Sequence, residues 1–108
     1  MTLSEKSCQP CTGKTPPLDH DKVSELITQI PGWTNENDAK ISKSFKFENF
    51  KQAMDFAGKV AVIADKENHH PDLIVRWGEL RVEIWTHASK GLTENDFILA
   101  AKIDKAAA

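Results

Sequence analysis

The sequence predicts an α+β domain in which an antiparallel sheet is covered by helices, and three observations lead there. A long stretch, FENFKQAMDFAGKVAVIADKEN, repeats apolar residues at helical spacing; two strand-like runs, DLIVRW and LRVEIWTH, adjoin a tight turn at Gly78; and helical stretches stand on either side of these elements. With 108 residues, 40% hydrophobic and 28% charged, the chain has the size of one domain with a single modest core. That domain is expected over residues 18–108, behind a flexible N-terminal tail of residues 1–17.

Pro16 and Pro17 close the tail. The following LDHDKVSELITQIPGW places Leu18, Val23, Leu26, Ile27 and Ile30 near helical spacing, with Asp19 as N-cap and Pro31-Gly32 as the stop. A short strand or turn over Trp33 to Asn37 leads into AKISKSFKF. There Ile41, Lys43, Phe45 and Phe47 alternate with Ser42, Ser44 and Lys46 in the period of a strand, although Lys43 interrupts the apolar face. In the long helix, Phe50, Ala53, Met54, Ala57, Val60, Ala61 and Ala64 form the core-facing stripe. Phe56, Val62 and Ile63 lie off it and form a second apolar face, open to another element or subunit. Pro71 pushes His70 out of the helical region and so ends the helix at NHHPD.

A two-residue turn at Gly78-Glu79 would pair Trp77 with Leu80, Val75 with Val82 and Leu73 with Ile84 on one face, and Arg76 with Arg81 and Ile74 with Glu83 on the other. Extending the ladder sets His70 opposite His87, with Pro71 interrupting the hydrogen bonds between. Beyond His87, Thr93 with Asp96 three residues on makes a capping box, Leu92 can staple onto Phe97, and Phe97, Ala100, Ala101 and Asp104 outline a last helix.

A formal charge of -2 supplies no basic footprint for nucleic acid or for an anionic membrane. Without an apolar stretch of spanning length or a signal-like start, the expected location is the cytoplasm. Cys8 and Cys11 form one C-x-x-C, open to reading as a redox pair, half of a zinc site, or two thiols on a loose tail.

Histidines supply the chemistry of greatest interest. Imidazole titrates near neutrality, so His69, His70 and His87 gathered at one corner can act as both general acid and general base. Two other readings stand beside this: three ligands of a catalytic metal with water as the fourth, which adjacent residues serve poorly, and a merely polar loop. Asp65, one turn before the pair, can orient a histidine, Asp96 is available near His87, and Trp85 can stack on a flat ligand.

HHP at 69–71, TH at 86–87 and GLTENDFILAAKID at 91–104, in this order and spacing, resemble the pterin-4a-carbinolamine dehydratase family across roughly residues 18–104. The resemblance implies a four-stranded antiparallel sheet packed with three helices, in the order helix-strand-strand-helix-strand-strand-helix. It implies assembly into homodimers or homotetramers, and dehydration of 4a-hydroxytetrahydropterin to quinonoid dihydropterin, a step that recycles pterin for aromatic amino acid hydroxylases such as phenylalanine hydroxylase. Neither a metal nor a cofactor is implied. Matched to the family's motifs, His69, His70 and His87 are the catalytic residues, and Asp65, Asn68, Pro71 and Asp96 surround the substrate. Asn68 stands where relatives often carry Asp, and Asp65 where they often carry Glu. A non-catalytic dimerisation or partner-binding module of the same fold is the alternative, because vertebrate members bind a homeodomain transcription factor; Phe56, Val62 and Ile63 would be its surface.

Overall fold

A computed structural model of the chain describes residues 2–10 and 15–108. Its elements are helix α1 (His20–Ile27), strands β1 (Thr34–Glu36) and β2 (Lys40–Lys46), helix α2 (Phe50–Glu67), strands β3 (Asp72–Arg76) and β4 (Glu79–Ile84), and helix α3 (Glu94–Ala107). Single 3-10 turns add Leu3–Glu5 and His87–Ser89. The four strands form one antiparallel sheet in the order β1-β2-β4-β3, as the α+β reading requires.

Strand parity separates the two faces. Ile41 and Phe45 of β2, with Leu80, Val82 and Ile84 of β4, are buried against the helices. Lys43 shares this parity, and its ammonium ends on Asp104 of α3 at 2.9 Å, where the Trp33 indole N–H also donates at 3.0 Å. The interruption in the apolar face is thus a strand-to-helix ion pair. On the opposite face Glu83 accepts from Lys40 and Arg81, and Arg81 continues to Glu36. Arg81 and then Lys40 hold the Glu83 carboxyl below its ordinary range.

The β3–β4 register differs from the sequence expectation by two residues. Leu73 lies opposite Val82, Val75 opposite Leu80, and Arg76 opposite Glu79, so the turn is Trp77-Gly78 and not Gly78-Glu79. Two causes favour this. Gly78 takes a positive φ of 74° at the second turn position, while its carbonyl accepts from the Phe47 N–H at 2.8 Å. The expected register would also have set Arg76 against Arg81, whereas the observed one sets it against Glu79. A shift of two keeps every side chain on its own face, so the layers survive the error.

Helix α2 buries Ala53, Ala57, Val60 and Ala64 of the expected stripe, and departs from it at the stripe's edges. Phe56 is buried, its ring tilted against those of Phe45 and Phe47 with centroids 5.1 and 5.5 Å away. Phe50 and Met54, expected in the core stripe, are about half exposed, and Val62 is exposed. Phe56 fills the space beside Phe45 and Phe47, while Phe50 and Met54 fall at the solvent edge of the stripe. Phe56 therefore leaves the expected partner surface, and Ile63 is only half-buried.

The N-terminal segment departs most from expectation. Leu3 is buried in the main core, and Lys102 of α3 donates to the Ser4 carbonyl at 3.0 Å, so residues 2–10 dock on the domain and do not hang from it. Cys11 lies outside the described residues, and so does any account of the C-x-x-C as a pair. Among the described residues no helix is long and apolar enough to cross a membrane.

Two outcomes follow from this fold. Gly78→Ala forces a side chain into positive φ with its Cβ 3.0 Å from the Phe47 carbonyl, and should cost roughly 1–3 kcal/mol in denaturant unfolding. The second concerns His20, whose Nδ1 lies 2.8 Å from Asp38 and ties α1 to the β1–β2 hairpin. The hydrogen bond to Asp38 raises the His20 pKa, so its stabilisation is complete below about pH 6.5 and fades as pH rises through the folded value. Asp38, lowered by Asn35 and then His20, contributes the opposite limb, lost only in acid. Melting curves should accordingly show wild type losing its advantage over His20→Gln as pH rises above about 6.5.

Candidate active site

The corner that gathers the histidines is made by three chain features. Helix α2 ends because Asn68 adopts the left-handed conformation, φ 53° and ψ 39°. The Asn68 N–H returns to Asp65 O at 3.3 Å and the His69 N–H to Ala64 O at 3.2 Å, the two bonds of a Schellman cap. Asn is the non-glycine residue best suited to that geometry. It ends the helix before Pro71 acts, which corrects the expectation that the proline does so. Pro71 then delivers the chain into β3 at Asp72.

The second feature is the segment after β4. Thr86 and Gly91 pair across the base of a loop, with Thr86 N to Gly91 O at 2.9 Å, and His87 sits on the 3-10 turn inside it. The loop is closed from behind by Pro17, which lies where a Cβ on Gly91 would be, 2.9 Å away. His87 stacks on Trp85, ring centroids 4.5 Å apart and planes 22° apart.

Third comes the N-terminus of α3, where Thr93 and Asp96 form the expected capping box. Asp96 does more than cap. It is fully buried, and its Oδ2 accepts from the Thr93 N–H and from the Thr86 hydroxyl, each at 2.8 Å, while Oδ1 lies 2.6 Å from His69 Nε2. Thr86 and Thr93 hydroxyls are themselves 2.8 Å apart. A carboxylate accepts at both oxygens, and Oδ2 is already taken by two donors. Its charge then requires the proton on His69 Nε2, leaving Nδ1 as the basic atom of the ring.

His69, His70 and His87 line one cleft of about 410 Å³, together with Asn68, Trp85 and Cys8. The convergence expected from the hairpin therefore occurs, although the ladder stops at Asp72 and does not pair His70 with His87. His70 contacts Asp65 through Nε2 at 2.9 Å on an exposed rim. His69 Nε2 and His70 Nε2 thus face two different carboxylates. Among the described residues no group of three His, Cys, Asp or Glu side chains is disposed to hold a metal ion.

Sequence reasoning missed Thr86, Asn95, Glu67 and the Cys8–Pro10 wall. Thr86 left a signal: it continues the buried parity of Leu80, Val82 and Ile84, so a polar group was bound inward and needed a partner. Glu67 and Asn95 left none, because their partners are main-chain groups far away in sequence.

A test of the Asp96 geometry is its amide. In Asp96→Asn the Thr93 N–H still demands an oxygen, so the new NH2 must face His69 and displace the Nε2 proton to Nδ1. Imidazole ¹⁵N spectra should report the Nε2–H form in wild type and the Nδ1–H form in the variant, with the fold kept; an unchanged tautomer would sink the assignment.

Comparison with known proteins gives the same corner a context. The family model described as pterin 4 alpha carbinolamine dehydratase matches residues 16–106. A Rickettsia canadensis protein bearing the name pterin-4-alpha-carbinolamine dehydratase is 50% identical over 103 residues, covering 94% of this chain and 94% of its own length. A Rubrobacter xylanophilus protein of the same name is 43% identical over 103 residues, covering 95% and 96% respectively. The crystal structure of a transcriptional coactivator/pterin dehydratase from Brucella melitensis superposes with a TM-score of 0.79 at 30% identity, over 84% of this chain and 98% of that one.

Proposed function

The chain belongs to the pterin 4 alpha carbinolamine dehydratase family, a family of hydro-lyases, and we propose that it dehydrates 4a-hydroxytetrahydropterin to quinonoid dihydropterin, with His69 as proton acceptor. The observation that carries the reading is the buried Asp96 carboxylate 2.6 Å from His69 Nε2, in a cleft that two further imidazoles line.

The reaction asks for one proton in and one proton out. N5 gives up its proton to a base, its electron pair closes the C4a–N5 double bond, and the C4a–O bond breaks as the hydroxyl receives a proton and leaves as water. His69 suits the first task. Its Nδ1 can take the N5 proton, and the imidazolium so formed stands against a fixed anion, as in other His–Asp pairs. His70 and His87, at the exposed rim, suit the second task, because an imidazole that solvent reaches can exchange its proton with water. Trp85 stacks on His87 and offers a flat surface for a pterin ring. Asp65 orients His70, while Asn68 and Pro71 set the course of the chain beside the substrate.

This chemistry fits a cytoplasmic role in returning spent pterin to aromatic amino acid hydroxylases, phenylalanine hydroxylase among them. Exposed Phe50, Met54 and Val62 on α2 support a homodimer or homotetramer.

Kinetics decide the reading. His69→Ala should lower kcat/KM for 4a-hydroxytetrahydropterin by roughly 10²–10⁴, with smaller losses in His70→Ala and His87→Ala. Stopped-flow absorbance follows the substrate directly. A wild-type rate no faster than buffer would end the proposal, and a fully active His69→Ala would remove the assigned base.

A further inference from the structure

One wall of the cleft comes from the far end of the chain. Cys8, Gln9 and Pro10 line the cleft together with the three histidines. This segment is held at every step along its length. Leu3 is buried in the core, Ser4 O accepts from Lys102, and Lys6 pairs with Glu94 at 3.4 Å. The Cys8 N–H donates to Glu67 Oε1 at 2.9 Å. Asn95 then reads the Gln9 backbone from both sides, its Oδ1 accepting from the Gln9 N–H at 2.9 Å and its Nδ2 donating to Gln9 O at 2.6 Å.

The two side chains that make the last contacts are themselves buried, Asn95 at 6% exposure and Glu67 at 8% for its side chain. Their placement matters. Asn95 directly precedes Asp96, and Glu67 ends α2 two residues before His69. A buried amide gains most when both its donor and its acceptor are used, and here both are used on one main-chain residue of the strap. The strap is therefore fastened to the same two chain ends that fix the His69–Asp96 pair, and its position is set by the same elements.

We propose that residues 3–10 form a strap whose Cys8–Pro10 end is a substrate-contacting wall setting affinity for the reduced pterin, with Asn95 and Glu67 as positioning residues acting through it. This rests on the dehydratase reading for the identity of the ligand. The wall supplies none of the groups assigned above to proton transfer, so its loss weakens binding of substrate and transition state alike. Such a change raises KM and leaves kcat in place.

Two variants of the full chain separate this from a structural role. Leu3→Ser releases the strap at its remote anchor, far from the histidines in sequence and absent from the cleft lining, and Asn95→Ala releases it at the cleft. Each should raise KM for 4a-hydroxytetrahydropterin roughly tenfold, with kcat and its pH profile held, and the double variant should show less than the product of the two effects. Leu3→Ile should restore the wild-type KM. Tryptic cleavage after Lys6 reports strap release independently, and in wild type it should slow when tetrahydropterin, which lacks the 4a-hydroxyl and cannot react, is bound. Faster cleavage at Lys6 with unchanged KM overturns the proposal, as does a fall in kcat with an altered pH profile. Should Leu3→Ser fail to fold, Asn95→Ala with an unchanged His69 imidazole ¹⁵N spectrum carries the same test. A wild type without dehydratase activity would defeat the parent reading; protection of Lys6 by tetrahydropterin would still decide whether the strap contacts a pterin.

Discussion

The Asp96 carboxylate is the constraint on which the corner depends. Taking a carboxylate fully out of water costs several kcal/mol unless it is met by donors, and hydrogen bonds to a charged acceptor return about 1.5–3 kcal/mol each. Its donors come from three places: Thr93 at the start of α3, Thr86 at the end of β4, and His69 after α2. None of these elements could shift without stranding part of the charge. A network of this kind holds geometry well when complete and is costly when one member is missing, which is the behaviour required of a group that must hold an imidazole in one tautomer.

Exposure then divides the three histidines. The His69 side chain is 12% exposed and faces a fully buried anion, whereas the His70 side chain is 56% exposed and faces an Asp65 that is 80% exposed. An ion pair in that second setting is weak and easily replaced by water. His69 is therefore fixed and His70 adaptable, with His87 held by stacking on Trp85 and open to solvent. A fixed imidazole beside adaptable ones suits the proposed dehydration, in which one proton must leave a defined ring nitrogen while the departing hydroxyl can be met over a wider range of positions.

Much of this was legible in the sequence, and the exceptions have particular causes. The layers were readable because alternation in β2 and β4 and the helical stripe of α2 reflect burial, and a register offset of two residues leaves burial untouched. The offset itself hung on which residue of the turn takes positive φ, and Gly78 answers that only with the Phe47 contact in view. Phe56 was misplaced because the spacing rule counts apolar residues without knowing that the rings of Phe45 on β2 and Phe47 just after it lie there to be packed against. The histidine corner was readable from side-chain type and chain direction. Its anchor was less so, since the capping role of Asp96 can be seen in Thr93 alone while the burial of its charge needs Thr86 and His69 in place.

Asn68 shows how local backbone chemistry sets the environments of the two histidines. Had the helix run on to Pro71, His69 and His70 would have continued the helical spiral and diverged by about 100° around its axis. The left-handed turn at Asn68 breaks the spiral one residue earlier, while the His69 N–H stays bound to Ala64 O. His69 is thus the last residue whose main chain is still fastened to the helix, and His70 the first that is not. Fastening the backbone of His69 limits the directions its side chain can take, and among these the one toward Asp96 is met by a charge. The same turn leaves His70 to the rim, followed by a proline that fixes the entry into β3. Two adjacent and chemically identical side chains acquire different environments through one backbone torsion, and in the proposed dehydration that difference is what separates a general base from a general acid.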